Sequence, residues 1–146
     1  MPEPAAARLH DLLVVERAIE RQLIGVARAM DRRDWPAFGE IARADLVADF
    51  GLDAVVDHIR RFLDRCGPTQ HLLGNVVIDA DLDAGTATSQ AYVNDRHVGA
   101  AERAELSFET LGDYHDTWTL TDGVWRLASR TKYRRASIGT LDVFLG

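Results

Sequence analysis

The sequence changes its hydrophobic period once, near Gly67, and this change limits the folds open to the chain. Before it, from about residue 8, apolar residues recur at steps of three and four, as in helices that bury one side. After it, from His71 to Tyr133, apolar and polar residues alternate between short turns rich in Asp and Gly. Helices followed by a meander of strands predict an α+β domain, with three helices packed on one face of a curved antiparallel sheet.

The first half predicts a disordered tail at residues 1–7 and a long amphipathic helix over residues 8–31. A short second helix begins at Asp34, which can cap it, with Pro36 in its first turn. A connection over residues 41–50, with room for a strand at 46–50, leads to a third helix over 53–65. Its expected buried side is Val55, Ile59, Phe62 and Cys66.

The second half predicts four strands, at His71–Ala80, Ala84–Asn94, Arg103–Gly112 with a continuation to Leu120, and Val124–Tyr133. A polar loop is expected over residues 94–103. A single domain therefore spans residues 8–135. Residues 136–146 are apolar for a chain end, and we expect them to cover a pocket or to contact a partner subunit.

Composition excludes several function classes. The chain has 146 residues and a net charge of −6, so it lacks the basic stripe of a nucleic-acid-binding protein. The run Arg130, Lys132, Arg134 and Arg135 is interpreted as a solvated basic face. No stretch resembles a membrane span, and the single cysteine, Cys66, suits a reducing cytoplasm. The five histidines are scattered and no Gly-rich phosphate loop occurs, so neither a metal nor another cofactor is expected.

One histidine stands at the head of a predicted strand and raises the question of chemistry. His71 shares a strand face with Leu73, Asn75 and Val77 if the period of two is unbroken. Asp31 lies at the C-terminal end of the first helix, where the macrodipole disfavours a carboxylate and a specific partner is needed. A carboxylate bonded to one imidazole nitrogen makes the other nitrogen a better general base. The alternative is a structural histidine, which is the more common role of a lone histidine on a strand.

Four phrases of the sequence resemble a known family. They are ARAMDRRDW at residues 27–35, TQHLLGN at 69–75, GDYHDTW at 112–118 and DGVWRLASR at 122–130. In this order and spacing they are similar to the SnoaL-like group of the NTF2-like superfamily, cone-shaped α+β domains. That group includes scytalone dehydratase, bile-acid 7α-dehydratase and hexachlorocyclohexane dehydrochlorinase. The resemblance covers about residues 12–130 and implies a homodimer or larger homo-oligomer that associates through the outer sheet face.

The resemblance also implies an activity. Asp31 and His71 fall on the positions of the acid–base dyad of these enzymes, which eliminate water or HX from small hydrophobic molecules without metal or organic cofactor. Many relatives also carry a Tyr or Lys before the aspartate and an Arg after the Y-x-D phrase, where this chain has Val26 and Thr117. The group that helps to polarise the substrate would then come from elsewhere in the chain. Candidates are Asn75, Tyr92, Tyr114 and the loop at residues 94–103. Val26 and Trp118 are also expected to face the substrate.

The leading hypothesis is therefore a cofactor-independent lyase or isomerase of dehydratase type. Its substrate would be a small, cyclic, largely apolar molecule such as a polyketide, steroid or aromatic intermediate. Two alternatives remain open. One is a non-catalytic protein that binds a small ligand in the same cavity, and the other is an aldol-type cyclase or epoxide hydrolase on the same scaffold.

Overall fold

A computed structural model describes residues 3–47 and 52–146. Three α-helices, α1 (Glu3–Arg32), α2 (Trp35–Ile41) and α3 (Leu52–Leu63), pack on a five-stranded sheet. The strands are β1 (Ala42–Val47), β2 (Thr69–Asp81), β3 (Thr86–Val98), β4 (Ser107–Thr121) and β5 (Val124–Gly139). Two 3₁₀ turns, Ala101–Arg103 and Leu141–Phe144, complete the described chain. No helix within it has both the length and the apolar character needed to cross a membrane.

The sheet is mixed and open, with the strand order β1-β5-β4-β3-β2. Strands β2 to β5 form the expected antiparallel meander, but β1 pairs with β5 in parallel. The predicted α+β class, with three helices on the sheet, is confirmed, and the parallel strand β1 is added to the predicted antiparallel sheet at this edge. The reason is that α3 follows β1 and returns the chain to the opposite edge, where β2 begins. The predicted strand at 46–50 overlaps β1 only at residues 46–47, and residues 48–51 lie outside the described chain.

Several elements are longer than predicted, whereas α3 ends at Leu63 instead of residue 65 and β4 begins at Ser107 instead of Arg103, which ends a 3₁₀ turn. Helix α1 begins at Glu3, so residues 3–7 are helical rather than a disordered tail, while Met1 and Pro2 lie outside the described chain. Strand β3 continues to Val98, which takes residues 95–98 out of the predicted loop. Strand β5 continues to Gly139, past the predicted boundary at residue 135. Polar side chains at residues 95–97 hid the strand character of the end of β3.

The core lies between α1 and the concave face of the sheet. The apolar stripe of α1 is buried as predicted, with Ile19, Leu23, Val26 and Met30 at most 5% exposed. Trp118 of β4 is fully buried against this stripe, and its indole N–H donates to the Ser89 hydroxyl at 2.9 Å. On α3 the buried residue of the last turn is Leu63, whereas Phe62, predicted to be buried, is 46% exposed.

A β-bulge in β2 changes which residues face the helices. The pairing of β2 with β3 shifts between Gly74 and Val77, and Asn75 has a left-handed φ of 49°. As a result Val76 and Ile78 pack on the core, while Val77 is 58% exposed. The predicted face His71, Leu73, Asn75, Val77 is thus correct only up to the bulge, because one extra residue reverses the alternation.

Candidate active site

The end of α1 presents Asp31 to the sheet. Arg33 takes a left-handed φ of 57° directly after the helix. Its N–H bonds to the Met30 carbonyl at 3.1 Å, and the Asp34 N–H bonds to the Ala29 carbonyl at 2.9 Å. This pair of bonds is the Schellman closure, which satisfies the last carbonyls of a helix. It fixes the direction of the final turn and therefore of the Asp31 side chain.

The Arg33 side chain binds three neighbouring segments of the chain beside the end of α1. Its guanidinium donates to the carbonyls of Leu63 and Gly67, both at 2.9 Å, and to the Thr69 hydroxyl at 2.7 Å. These acceptors belong to the end of α3, the following turn and the start of β2. We call this arrangement the Arg33 joint. It holds the end of α1 against the first residues of β2, where the partner of Asp31 lies.

Asp31 binds the head of β2 through both carboxylate oxygens. Oδ1 lies 2.7 Å from Nδ1 of His71 and accepts a bond from the Thr69 hydroxyl at 3.1 Å. Oδ2 accepts the backbone N–H of His71 at 3.0 Å. The carboxylate thus holds the ring and the backbone of one residue together, which fixes the rotamer of His71 as well as the hydrogen on Nδ1.

Burial and hydrogen bonding compete at this pair. The His71 side chain is 6% exposed and that of Asp31 is 21% exposed. Burial alone would raise the pKa of the Asp31 carboxyl, but the hydrogen bonds from the His71 ring and backbone, assisted by Thr69, lower it below its ordinary value. Asp31 is therefore ionised at neutral pH. Within the described chain no side chain or backbone group binds Nε2 of His71, so this nitrogen can meet a ligand.

A row of polar side chains crosses the sheet beside His71. In the strand registers His71 pairs with Asp95, and Asp95 pairs with Thr110. We call these three residues the polar row. The Lys132 ammonium reaches it from β5, 2.8 Å from Asp95 Oδ1 and 2.9 Å from the Thr110 hydroxyl, which also donates to Asp95. Two residues along β3, the His97 ring lies 6.0 Å from the His71 ring, centroid to centroid.

Burial and the contact with Lys132 determine the charges of Asp95, in the polar row, and of the neighbouring His97. Burial would raise the pKa of Asp95, but the bonds from Lys132 and Thr110 outweigh it and lower that pKa. Burial lowers the pKa of His97 and is only partly opposed by the Asp95 carboxylate, so His97 is neutral at pH 7. The result is a buried carboxylate, an ammonium and two imidazoles on one concave surface.

Tyr114 forms the next part of this surface. The Arg130 guanidinium carbon lies 3.9 Å above the centroid of the Tyr114 ring, and Arg130 binds the Asp116 carboxylate with two bonds of 2.8 and 2.7 Å. Burial, together with the nearby carboxylates, raises the pKa of Tyr114 against the opposing effect of Arg130. The phenol therefore stays protonated. Its hydroxyl makes no hydrogen bond to any residue that the structure describes, and it can donate to a ligand.

The other predicted site residues do not gather around His71. Val26 and Trp118 are fully buried in the core, where they pack against other side chains. Asn75 is exposed at the bulge, because the left-handed residue leaves the inward row. Tyr92 is 48% exposed on the outer face, where the Arg135 guanidinium stacks on its ring at 4.6 Å. Asn75 and Tyr92 thus lie apart from the surface that carries His71, and their predicted contact with a substrate stays a prediction.

Five residues of this surface were not predicted from the sequence: Asp95, His97, Thr110, Arg130 and Lys132. The predicted second strand ended at Asn94, so Asp95 and His97 were assigned to a loop, although they continue the inward alternation of Ala91 and Val93. The basic run on β5 was interpreted as solvated, whereas Arg130 and Lys132 face inward. Together His71, Asp95 and His97 form a group of metal-ligand type, which the scattered histidines of the sequence had not indicated.

Two surface grooves lie away from the dyad. One of about 290 Å³ is lined by α1 and β2, and the other of about 400 Å³ by α3 and the last 3₁₀ turn, including Phe62 and Phe144. Phe144 links the second groove to the polar surface, since its ring lies 5.1 Å from the His97 ring.

Comparisons with known structures identify this architecture as NTF2-like. A candidate scytalone dehydratase from Novosphingobium aromaticivorans DSM 12444 is 22% identical, with a TM-score of 0.77 over 88% of this chain and 89% of its own. The hexachlorocyclohexane dehydrochlorinase LinA-type3 from Novosphingobium barchaimii LL02 is 15% identical, with a TM-score of 0.75 over 89% and 92%. At these identities the likeness is one of fold. No curated protein matches the chain.

The sequence itself matches the SnoaL-like domain over residues 12–131, a range that runs from the buried stripe of α1 through Arg130 in β5 and includes Asp31 and His71. The chain belongs to the SnoaL-like domain family.

Proposed function

We propose that this protein is a cofactor-independent lyase or isomerase of dehydratase type, in which Asp31 and His71 are the catalytic dyad. The observation that carries the proposal is the 2.7 Å contact between His71 Nδ1 and Asp31 Oδ1, with Nε2 left for a substrate. Dehydratase and dehydrochlorinase names among proteins of the same fold support elimination as the reaction class.

In the proposed reaction, His71 Nε2 removes a proton from the carbon next to an electron-withdrawing group. The electron pair of that C–H bond is first held by the electron-withdrawing group, as an enolate when that group is a carbonyl, and it forms the new double bond when the hydroxyl on the neighbouring carbon departs. His71 returns its proton to the departing hydroxyl, so that water leaves and the base is restored. Asp31, which is ionised and bonded to Nδ1, stabilises the imidazolium that exists between the two steps.

Lys132 and Tyr114 are proposed to polarise the substrate. They would take the role of the Tyr or Lys that many relatives carry at the position of Val26. Both lie on the concave surface beside the polar row, and the Lys132 side chain is 32% exposed. The stem of Lys132 passes Gly112, where an added Cβ would lie 3.4 Å from Lys132 Cε. A positive charge and a phenol O–H near the substrate can stabilise the enolate that forms when the proton leaves.

We also propose that the occupant is a small, cyclic, largely apolar molecule, that the protein works in the cytoplasm, and that it forms a homodimer or larger homo-oligomer. Leu73, two residues from His71 on β2, and the aromatic pair Phe108 and Phe144 beside His97 support an apolar ligand. The single cysteine, buried and free, supports a reducing compartment.

The test is elimination by the purified protein on a panel of cyclic β-hydroxy ketones, followed by the absorbance of the conjugated enone. Asp31→Asn keeps the shape of the carboxylate and is expected to lower the rate by about 10²- to 10⁴-fold, as His71→Gln does by removing the base. Asp34→Asn is the matched control, because Asp34 caps α2 through the Ala37 N–H at 3.1 Å and Asn caps equally well. Equal rates in Asp31→Asn and Asp34→Asn would refute the proposal.

A second candidate, a non-catalytic ligand-binding protein, is favoured by one observation. In the described residues every side-chain polar atom that is closed off from solvent has a hydrogen-bond partner, so the unbonded His71 Nε2 and Tyr114 hydroxyl are accessible atoms of a surface that could bind a ligand without chemistry. A binder predicts that panel members raise the melting temperature by the same amount in wild type and His71→Gln, without enone formation.

A further inference from the structure

Three ligand-type atoms converge on the concave surface from two neighbouring strands. One ring nitrogen each of His71 and His97 and one carboxylate oxygen of Asp95 all lie within 4.8 Å of one another. Asp95 Oδ2 is 3.8 Å from His97 Nε2. A tetrahedral ion with bonds of about 2.1 Å needs ligand atoms about 3.4 Å apart. Small side-chain rotations would shorten the distance between these ligand atoms from 3.8 Å to about 3.4 Å.

Each of the three side chains is already oriented by a second partner. Nδ1 of His71 is bonded to Asp31, which leaves Nε2 for a ligand. Nδ1 of His97 lies 3.4 Å from the Phe108 carbonyl, which favours the tautomer with a lone pair on Nε2. Asp95 Oδ1 is bonded by Lys132 and Thr110, which leaves Oδ2. Metal-binding imidazoles in proteins are held in this way by a carboxylate or a carbonyl on the other ring nitrogen.

The surroundings also suit an ion. Asp95 and His97 are 3% and 6% exposed, and the rings of Phe108 and Phe144 lie beside His97. An apolar shell of this kind limits water access and strengthens the charge–ligand interaction. The three protein ligands would leave one position of a tetrahedral ion open.

We propose that His71 Nε2, His97 Nε2 and Asp95 Oδ2 bind one divalent first-row transition-metal ion, with Zn²⁺ as the best fit. Two imidazoles and one carboxylate are ligands that Zn²⁺ accepts readily and that Mg²⁺ and Ca²⁺ do not select. Because the ion uses His71 Nε2, the atom proposed as the base, a bound ion and proton abstraction exclude one another. Metal binding itself does not depend on the lyase proposal.

Lys132 gives the proposal a directional test. Its ammonium lies 2.8 Å from Asp95 Oδ1 and opposes the approach of a second positive charge. Removal of this charge by Lys132→Gln should tighten Zn²⁺ binding by about three- to tenfold. A nonspecific surface site would not respond in this direction.

The experiment is calorimetric titration of EDTA-treated protein with Zn²⁺, repeated with Mg²⁺, and visible absorbance of the Co²⁺ complex. We expect one Zn²⁺ per chain and no binding of Mg²⁺. His97→Gln should weaken binding by at least about tenfold, and Asp31→Asn, which removes the orienting carboxylate, by about 10- to 100-fold. His115→Gln is the matched control, because His115 is exposed and stacks on Tyr133 at 4.8 Å on the outer face.

Each outcome decides the matter. Absence of Zn²⁺ binding by wild type, or equal binding by wild type and His97→Gln, would overturn the metal site. Loss of binding in His115→Gln would place the ion elsewhere. If circular dichroism shows that His97→Gln is unfolded, the response of Lys132→Gln decides alone. Inactivity on the ketone panel would leave these binding results unaffected, so the two proposals fail separately.

Discussion

At the scale of the residue, Asp31 should make stability depend on pH in the acid range. Its folded pKa is lower than its unfolded value, so folding is favoured by the ionised form. This contribution is complete above the unfolded pKa of about 4 and is lost as the pH falls through the folded value. We expect the difference in unfolding free energy between wild type and Asp31→Asn to be constant near neutrality and to shrink below about pH 4.

Urea titrations across this range provide the measurement. A difference that stays constant down to about pH 2 would mean that the hydrogen bonds of Asp31 do not favour its ionised form.

The residues of the site differ in how far they could be predicted. Asp31 and His71 could be proposed because each is unusual at its position: a carboxylate at a helix C-terminus, and an imidazole at the head of an apolar strand. Asp95 and Lys132 could not, since their importance comes from cross-strand pairing with residues far away in the sequence. Spacing along one strand contains no information about the register of the next.

At the scale of the element, the Arg33 joint should contribute substantially to stability. Arg33→Lys keeps the charge but loses the planar fork that reaches Leu63, Gly67 and Thr69 at once. We expect a loss of about 2–4 kcal/mol in unfolding free energy, because buried carbonyls lose their donors. Denaturant unfolding measures it.

Arg32→Lys is the matched control for this change, since Arg32 is the exposed neighbour at the end of α1. It should alter stability by less than about 0.5 kcal/mol. Equal effects of the two substitutions would contradict the role given to the Arg33 joint.

Element order and type followed from the change of period, but two features did not. The β2 bulge places one extra residue at Asn75; the Gly74-Asn75 pair is a local signal of a bulge, but the period of two alone does not show it. The parallel pairing of β1 with β5 depends on where α3 returns the chain, which is a tertiary property. Both concern how elements are joined, and hydrophobic periodicity reports only what each element buries.

At the scale of the whole molecule, the outer sheet face is the expected contact between subunits. Leu72, Asn94 and Leu111 form one cross-strand row on this face, and Tyr92 and Tyr133 belong to the next. Leu72 is 65%, Tyr133 55% and Leu111 37% exposed. Neighbouring apolar side chains on a surface favour association.

Sedimentation velocity should therefore find a dimer or larger species, and Leu111→Lys should shift it toward the monomer by placing a charge in the contact. Leu9→Lys is the matched control and should leave the mass unchanged, since Leu9 is 46% exposed and belongs to α1, not to the outer sheet face. A monomeric wild type at about 100 µM would contradict the expected assembly.

The order of strands has a consequence for how the molecule is made. Strands β2 and β3, which carry His71, Asp95 and His97, form a hairpin whose turn spans only residues 82–85. Strand β1, in contrast, pairs with β5, which lies about eighty residues further along the chain. Local pairings form in microseconds and distant ones much later. A chain still folding would thus already hold its two imidazoles and one carboxylate in register before α1 docks and brings Asp31. The base would be present early in folding, and the group that directs it would arrive late.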